Sequence, residues 1–124
     1  NENEPGDVRD TTTPRAMAQL LHRMLTATAI DPKAATLLRA MMMDATTGYS
    51  RLRAGFPSHL EMGDKTGTSG NGLFGNIAFV RGQSEDDTLF VAAYVNARSL
   101  SMKQGSKAHK RIARVVASAL LKTR

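Results

Sequence analysis

The run Asp64-Lys65-Thr66-Gly67-Thr68 sets an ammonium, two hydroxyls and a residue without a side chain in succession. On a strand, that set suits recognition of an anionic ligand. Lys65 supplies a positive field, Thr66 and Thr68 can donate to a carboxylate, and Gly67 lets a ligand lie against the backbone. Taken alone, Lys-Thr-Gly is also what an ordinary strand end looks like, so its meaning rests on its surroundings. The other polar signals are weaker. Tyr94-Val95-Asn96 reads as plain strand sequence. His22, His59 and His109 fall on separate segments with no metal-ligand spacing, and the chain has no cysteine, which excludes disulfides, thiolate catalysis and cysteine metal sites. Neither a metal nor a cofactor is implied.

The elements that must position this strand can be read from periodicity. Thr13-Pro14 is an N-cap followed by proline at the first helical position, and Met17, Leu20, Leu21, Met24 and Leu25 continue at helical spacing, predicting a helix over 14–27. Asp31-Pro32 repeats the start signal, and Leu37, Leu38, Met41 and Met42 carry a second helix to about Asp44, with Met41-Met42-Met43 as core filler. A connector over 48–57 has room for a short helical turn. Strand-like segments follow near 60–67, 75–81 and 88–96, separated by Gly70-Asn71-Gly72 and by the polar run Gln83 to Asp87; loops this short favour antiparallel neighbours. A last helix over 103–121 places Ala108, Ile112, Val115, Val116 and Ala119 on one apolar face. No internal repeat or low-complexity segment interrupts this order. A three-stranded sheet with one covering helix leaves a face or an edge in need of company.

Length and charge bound the function further. With 124 residues, 41% of them apolar, there is material for one compact domain. The formal charge of +6 gathers near the C-terminus, where Lys103, Lys107, Lys110, Arg111 and Arg114 recur at helical spacing. The plain reading is a solvated helix face, since no aromatic interleaves with those cations to stack nucleic-acid bases. No apolar run approaches a membrane span, and the polar, acidic start Asn1 to Pro5 does not look like a signal peptide. Neither nucleic acid nor membrane is expected as a partner.

Three blocks in order give the strand its context. Pro5 through Pro14 resembles the end of the class A serine β-lactamase omega loop and its entry into the next helix. Thr47-Gly48 with Arg51-Leu52-Arg53-Ala54-Gly55-Phe56-Pro57 resembles the segment ahead of that family's Lys-Thr-Gly strand, and Gly63 to Thr68 resembles the strand itself. The resemblance covers essentially the whole chain and corresponds to the C-terminal half of a complete enzyme. D-alanyl-D-alanine peptidases share Lys-Thr-Gly, but the omega-loop block favours a lactamase. The resemblance implies an α+β fold, an antiparallel sheet flanked by helices, with a β-lactam as substrate and a periplasmic or secreted location. The family's chemistry is acyl transfer, in which a serine opens the ring and an activated water hydrolyses the acyl-enzyme.

Carried over residue by residue, the resemblance gives each position a role. Lys65 supports substrate electrostatics and proton traffic at the nucleophile. Thr66, Gly67 and Thr68 contact the substrate, and the Thr68 N–H is one oxyanion donor. Arg51 is the guanidinium partner of the substrate carboxylate, because the family's other positions for that arginine hold Phe74 and the neighbourhood of Gly105 and Ser106. Arg53 pairs with Asp64 to hold the strand, and Asp7 with Arg9 braces the omega loop. Asp10 pairs with an arginine upstream of Asn1. Asn1 matches the asparagine that helps hold the hydrolytic water, while Glu2 and Glu4 do not match the general base, which would precede Asn1. The sequence departs from the full pattern in having no Ser-x-x-Lys and no Ser-Asp-Asn. The expectation is therefore a chain inactive alone, whose partner is the N-terminal half of the same fold; the alternative is a non-catalytic protein-interaction module.

Overall fold

The computed structural model describes residues 8–9, 11–82 and 87–122, with side chains through residue 119. Helix α1 spans Pro14–Leu25 and α2 spans Pro32–Met43. A single 3-10 turn, Leu52–Gly55, precedes strands β1 (Met62–Thr68), β2 (Leu73–Val80) and β3 (Leu89–Asn96), and α3 (Met102–Lys122) closes the order. Both short helices begin as their sequences dictate. The Thr13 hydroxyl accepts from the Ala16 N–H at 3.1 Å, the Asp31 carboxylate accepts from the Lys33 N–H at 2.8 Å, and a proline follows each cap.

The sheet is antiparallel in the order β1-β2-β3, an α+β arrangement with helices on both faces. Its pleat sorts side chains with a period of two. Met62, Ala78, Val80, Val91 and Ala93 meet Leu52, Phe56, Ala113 and Ala117 on the side covered by α3 and the 3-10 turn. Phe79, with Ile77 and Phe90, meets Leu21, Leu25, Leu38 and Met42 on the side covered by α1 and α2. β2 is buried from both directions, whereas β1, the Lys-Thr-Gly strand, lies at an edge.

Three expectations need correction. Helix α1 stops at Leu25 because Ala27 turns left-handed, with φ 55°, and its N–H bonds back to the Met24 carbonyl at 3.2 Å. The Met41–Met43 run is not all core: Met42 is buried, while Met41 is 63% exposed and Met43 is exposed too. The apolar face of α3 is also displaced. Val115 is 70% exposed and Ala119 is exposed, and the buried stripe is instead Gly105, His109, Ala113 and Ala117. Close approach explains this choice of small residues. A Cβ on Gly55 would sit 2.5 Å from that of Ala113, and one on Gly105 would sit 2.7 Å from the Phe74 ring. His109 joins the stripe by lodging its ring nitrogens 2.9 Å from the Gly105 carbonyl oxygen and 3.2 Å from that of Ala93, which ties α3 to β3.

A buried polar hub fixes β1. The Asp64 carboxylate is fully buried, accepts from Arg53 Nε at 3.0 Å and Nη2 at 2.6 Å, and accepts from Asn76 Nδ2 at 3.0 Å. Asn76 in turn accepts the Leu52 N–H through Oδ1 at 3.0 Å and donates to the Lys65 carbonyl at 3.1 Å. Arg53 Nη2 also reaches the Met42 carbonyl at 3.3 Å, so one cluster joins the end of α2, the 3-10 turn, β1 and β2. Gly48 makes room for it, since a Cβ there would lie 1.5 Å from Asp64 Oδ2.

Two outcomes follow for stability. Asp64→Ala leaves Arg53 without its buried anion and should lower the unfolding free energy by about 3 kcal/mol, read from urea melts followed by circular dichroism. Ala27→Gly relieves a left-handed alanine and should raise it by about 0.5 kcal/mol after the added entropy of the unfolded chain is subtracted.

Candidate functional site

The carbonyl-rich end of β1 is where the sequence's polar residues gather. Register sets Lys65 opposite Ile77, Gly67 opposite Gly75 and Thr68 opposite Phe74. Because successive side chains alternate, Lys65 points to the α1/α2 side, while Thr66 and Thr68 share the other face. Lys65 and Thr68 are exposed and Thr66 is half-buried. The Lys65 ammonium donates to the Thr66 carbonyl, and Thr66 Oγ1 donates to Thr47 Oγ1 at 2.8 Å, bringing in a residue ahead of the 3-10 turn.

Arg51 lies behind these groups. Its Nη1 donates to the Gly67 carbonyl at 3.0 Å and the Gly75 carbonyl at 2.9 Å, and its Nη2 donates to Thr68 Oγ1. The residue is only 3% exposed. Burial lowers its guanidinium pKa below the ordinary arginine value, and the charge of Asp64 partly offsets that effect. An arginine remains protonated throughout the ordinary pH range, so a fixed positive charge sits one hydrogen bond behind the Thr68 hydroxyl. The Arg51 fork bonds two backbone carbonyls and one hydroxyl, one carbonyl from each of the paired strands β1 and β2.

The neighbouring positions explain how arginine reaches this spot from the 3-10 turn. The Arg51 guanidinium carbon lies 5.7 Å from the centre of the Phe74 ring, and Phe74 packs on Gly105. Position 74, the start of α3 and Arg51 thus converge on one volume, and here the residue at 51 supplies its charge.

On the other side, Lys65 stands at the rim of an apolar groove of about 440 Å³. Met17, Leu20, Met24 and Met41 line it with Thr47 and Ile77. Leu20 is 44% exposed, so the groove opens two helices' apolar sides directly beside the lysine. Asn1, Asp7 and Asp10 lie outside the described residues; Arg9 is exposed. Among the described residues no group of three or more His, Cys, Asp or Glu could hold a metal ion. No described helix is long and apolar enough to cross a membrane.

Sequence reasoning missed Asn76 and Thr47. Asn76 sits in a strand whose neighbours are apolar, and a lone buried amide in such a run was the available signal that a polar partner, here Asp64, faced it. Thr47 had no comparable mark, because its role depends on a loop folding back onto β1.

Comparison with known proteins accords with this geometry. Residues 1–120 match the family described as "Beta-lactamase enzyme family". A β-lactamase of Mycobacterium tuberculosis (strain ATCC 25618 / H37Rv) is 45% identical over 80 residues, covering 64% of this chain and 26% of the relative. β-Lactamase AER-1 of Aeromonas hydrophila is 37% identical over 112 residues, covering 90% of this chain and 36% of the relative. Among solved structures, a β-lactamase from Xanthomonas campestris superposes with a TM-score of 0.88 at 36% identity, covering 95% of this chain and 44% of that one. A variant of the last common ancestor of Gram-negative bacteria class A β-lactamase gives 0.90 at 35% identity, covering 98% and 45%. The chain therefore spans 26% to 36% of the length of those curated relatives. Sequence match, fold and arrangement of the β1 edge together place the chain in the β-lactamase enzyme family, as a class A serine β-lactamase-like protein.

Proposed function

We propose that this chain supplies the substrate-clamping side of a β-lactam-hydrolysing site. The observation that carries the reading is Arg51 behind Thr68 on an edge strand that also exposes Lys65. In this reading the β-lactam carboxylate accepts from Thr66 and Thr68 beside Gly67. The buried Arg51 strengthens that contact by polarising the Thr68 hydroxyl rather than by touching the substrate. The Thr68 N–H stabilises the developing oxyanion, and Lys65 contributes positive charge at the nucleophile. Arg53 and Asp64 hold the strand, with Arg9 and Asp7 bracing the omega loop and Asp10 and Asn1 meeting upstream residues and the hydrolytic water.

The 124 residues hold neither Ser-x-x-Lys nor Ser-Asp-Asn, and the reaction needs the groups those motifs supply. A serine must attack the ring carbonyl and break the amide bond, and a general base must then activate the water that cleaves the acyl ester. We place those groups on the N-terminal half of the same fold, docked along the apolar groove beside Lys65. Burying Met17, Leu20 and Met41 would repair the exposed surface and bring a nucleophile to the β1 edge. The complete protein would act in the periplasm or outside the cell. No cofactor takes part.

The test is reconstitution with the N-terminal portion of a class A relative carrying Ser-x-x-Lys, Ser-Asp-Asn and the omega-loop glutamate. Neither piece alone should hydrolyse a chromogenic cephalosporin, and the mixture should do so. Turnover by the purified chain alone would overturn the division of labour. In the mixture, Arg51→Ala should raise KM about tenfold, on the order of one charged hydrogen bond, with a smaller change in kcat. Met41→Glu, at a position 63% exposed in this chain, should leave its circular dichroism unchanged while blocking reconstitution.

A further inference from the structure

Helix α3 carries a charge pattern that the proposed reaction does not use. Lys103, Lys107, Lys110, Arg111 and Arg114 fall within an arc of about 100° and along about 16 Å of helix. The helix contains no acidic residue from Met102 to Lys122, and none of the five is in an ion pair with a described residue. Several stand three or four positions apart, where like charges destabilise a helix. Together with Ser50 and Met102 these cations line a shallow groove beside the 3-10 turn. One exposed apolar side chain borders the stripe, Val115 at 70% exposure.

We propose that this face of α3 docks on an anionic lipid bilayer. A flat layer of phosphate headgroups neutralises the whole stripe at once. The lysine and arginine stems can lie along the interface while their heads reach the phosphates. Val115 then enters the headgroup boundary at the edge of the stripe, a contact that a purely electrostatic partner would leave unused. Nucleic acid fits less well, since no aromatic stands among the cations to stack on bases. The buried stripe Gly105, His109, Ala113 and Ala117 faces the protein, so α3 can present its outer face without leaving the sheet. This surface is separate from the apolar groove beside Lys65, and its binding does not depend on reconstituted hydrolysis.

The full chain, co-sedimented with vesicles at low salt, should bind phosphatidylcholine containing phosphatidylglycerol and should not bind pure phosphatidylcholine. Binding should vanish in high salt. The triple variant Lys107→Gln, Arg111→Gln, Arg114→Gln should weaken it about a hundredfold, at about fivefold per cation. Arg15→Gln, Arg23→Gln, Lys33→Gln removes equal charge from exposed positions elsewhere and should leave binding in place. Circular dichroism of each variant confirms that α3 persists. Equal loss in both triple variants would overturn the proposal by assigning the effect to net charge. So would equal binding to neutral vesicles, or retention of duplex DNA by a chain that ignores the anionic vesicles.

Discussion

A single buried carboxylate organises this chain. Asp64 is removed from water completely, which would be prohibitive for an isolated anion. It is tolerated because Arg53 and Asn76 meet both of its oxygens. The same partners fix three other pieces of chain: Arg53 reaches the end of α2, Asn76 holds the first N–H of the 3-10 turn, and Asn76 also reaches the Lys65 carbonyl. Buried pairs of this kind seldom add much net stability over apolar packing, but breaking one is costly. Their effect here is positional. The hub sets the register of β1 immediately ahead of Lys65, Thr66 and Thr68, so those side chains sit on a strand held in place.

Arg51 and Arg53, two residues apart, divide the electrostatic labour. Arg53 neutralises the internal anion, whereas Arg51 extends under β1 to the Gly67 and Gly75 carbonyls and to Thr68. Arg51 caps the 3-10 turn and Arg53 lies within it, so one short segment sends two cations to different parts of the sheet. The positive charge is thereby held rigidly by three acceptors rather than presented on a flexible stem. A preorganised charge of this sort needs no reorganisation when an anion arrives, which is the condition under which electrostatic stabilisation is largest.

Much of this was legible in the chain itself. Thr13-Pro14 and Asp31-Pro32 announced both short helices, and the glycine-rich turn after Thr68 announced the antiparallel pair. Arg53 beside Asp64 could be paired only through the resemblance to a known family, since no local spacing relates positions eleven apart across a loop. What periodicity misread was α3. Large apolar residues dominate any helical pattern, yet α3 approaches Gly55 at Ala113 and the Phe74 ring at Gly105 so closely that only small residues fit there, with the His109 ring lodged between the Gly105 and Ala93 carbonyls. Val115 looked like core because its type was counted and its room was not. Asn76 escaped notice for the opposite reason: it is polar in an apolar strand, and its partners are remote in sequence.

The exposed surfaces follow from the same layering. α1 and α2 cover one side of the sheet through Leu21, Leu25, Leu38 and Met42, but their apolar stripe is wider than the strands beneath it. Leu37 at 62% exposure and Met41 at 63% therefore face outward. Apolar side chains thus lie exposed beside the polar end of the β1 edge. Lys65 stands on that boundary, with fixed charge behind the strand and open apolar surface beside it. A nucleophile arriving on a second layer would enter a field already set by Arg51, Arg53 and Asp64. The charge along the β1 edge is thus fixed from within the chain by the bonds of Arg51, Arg53 and Asp64.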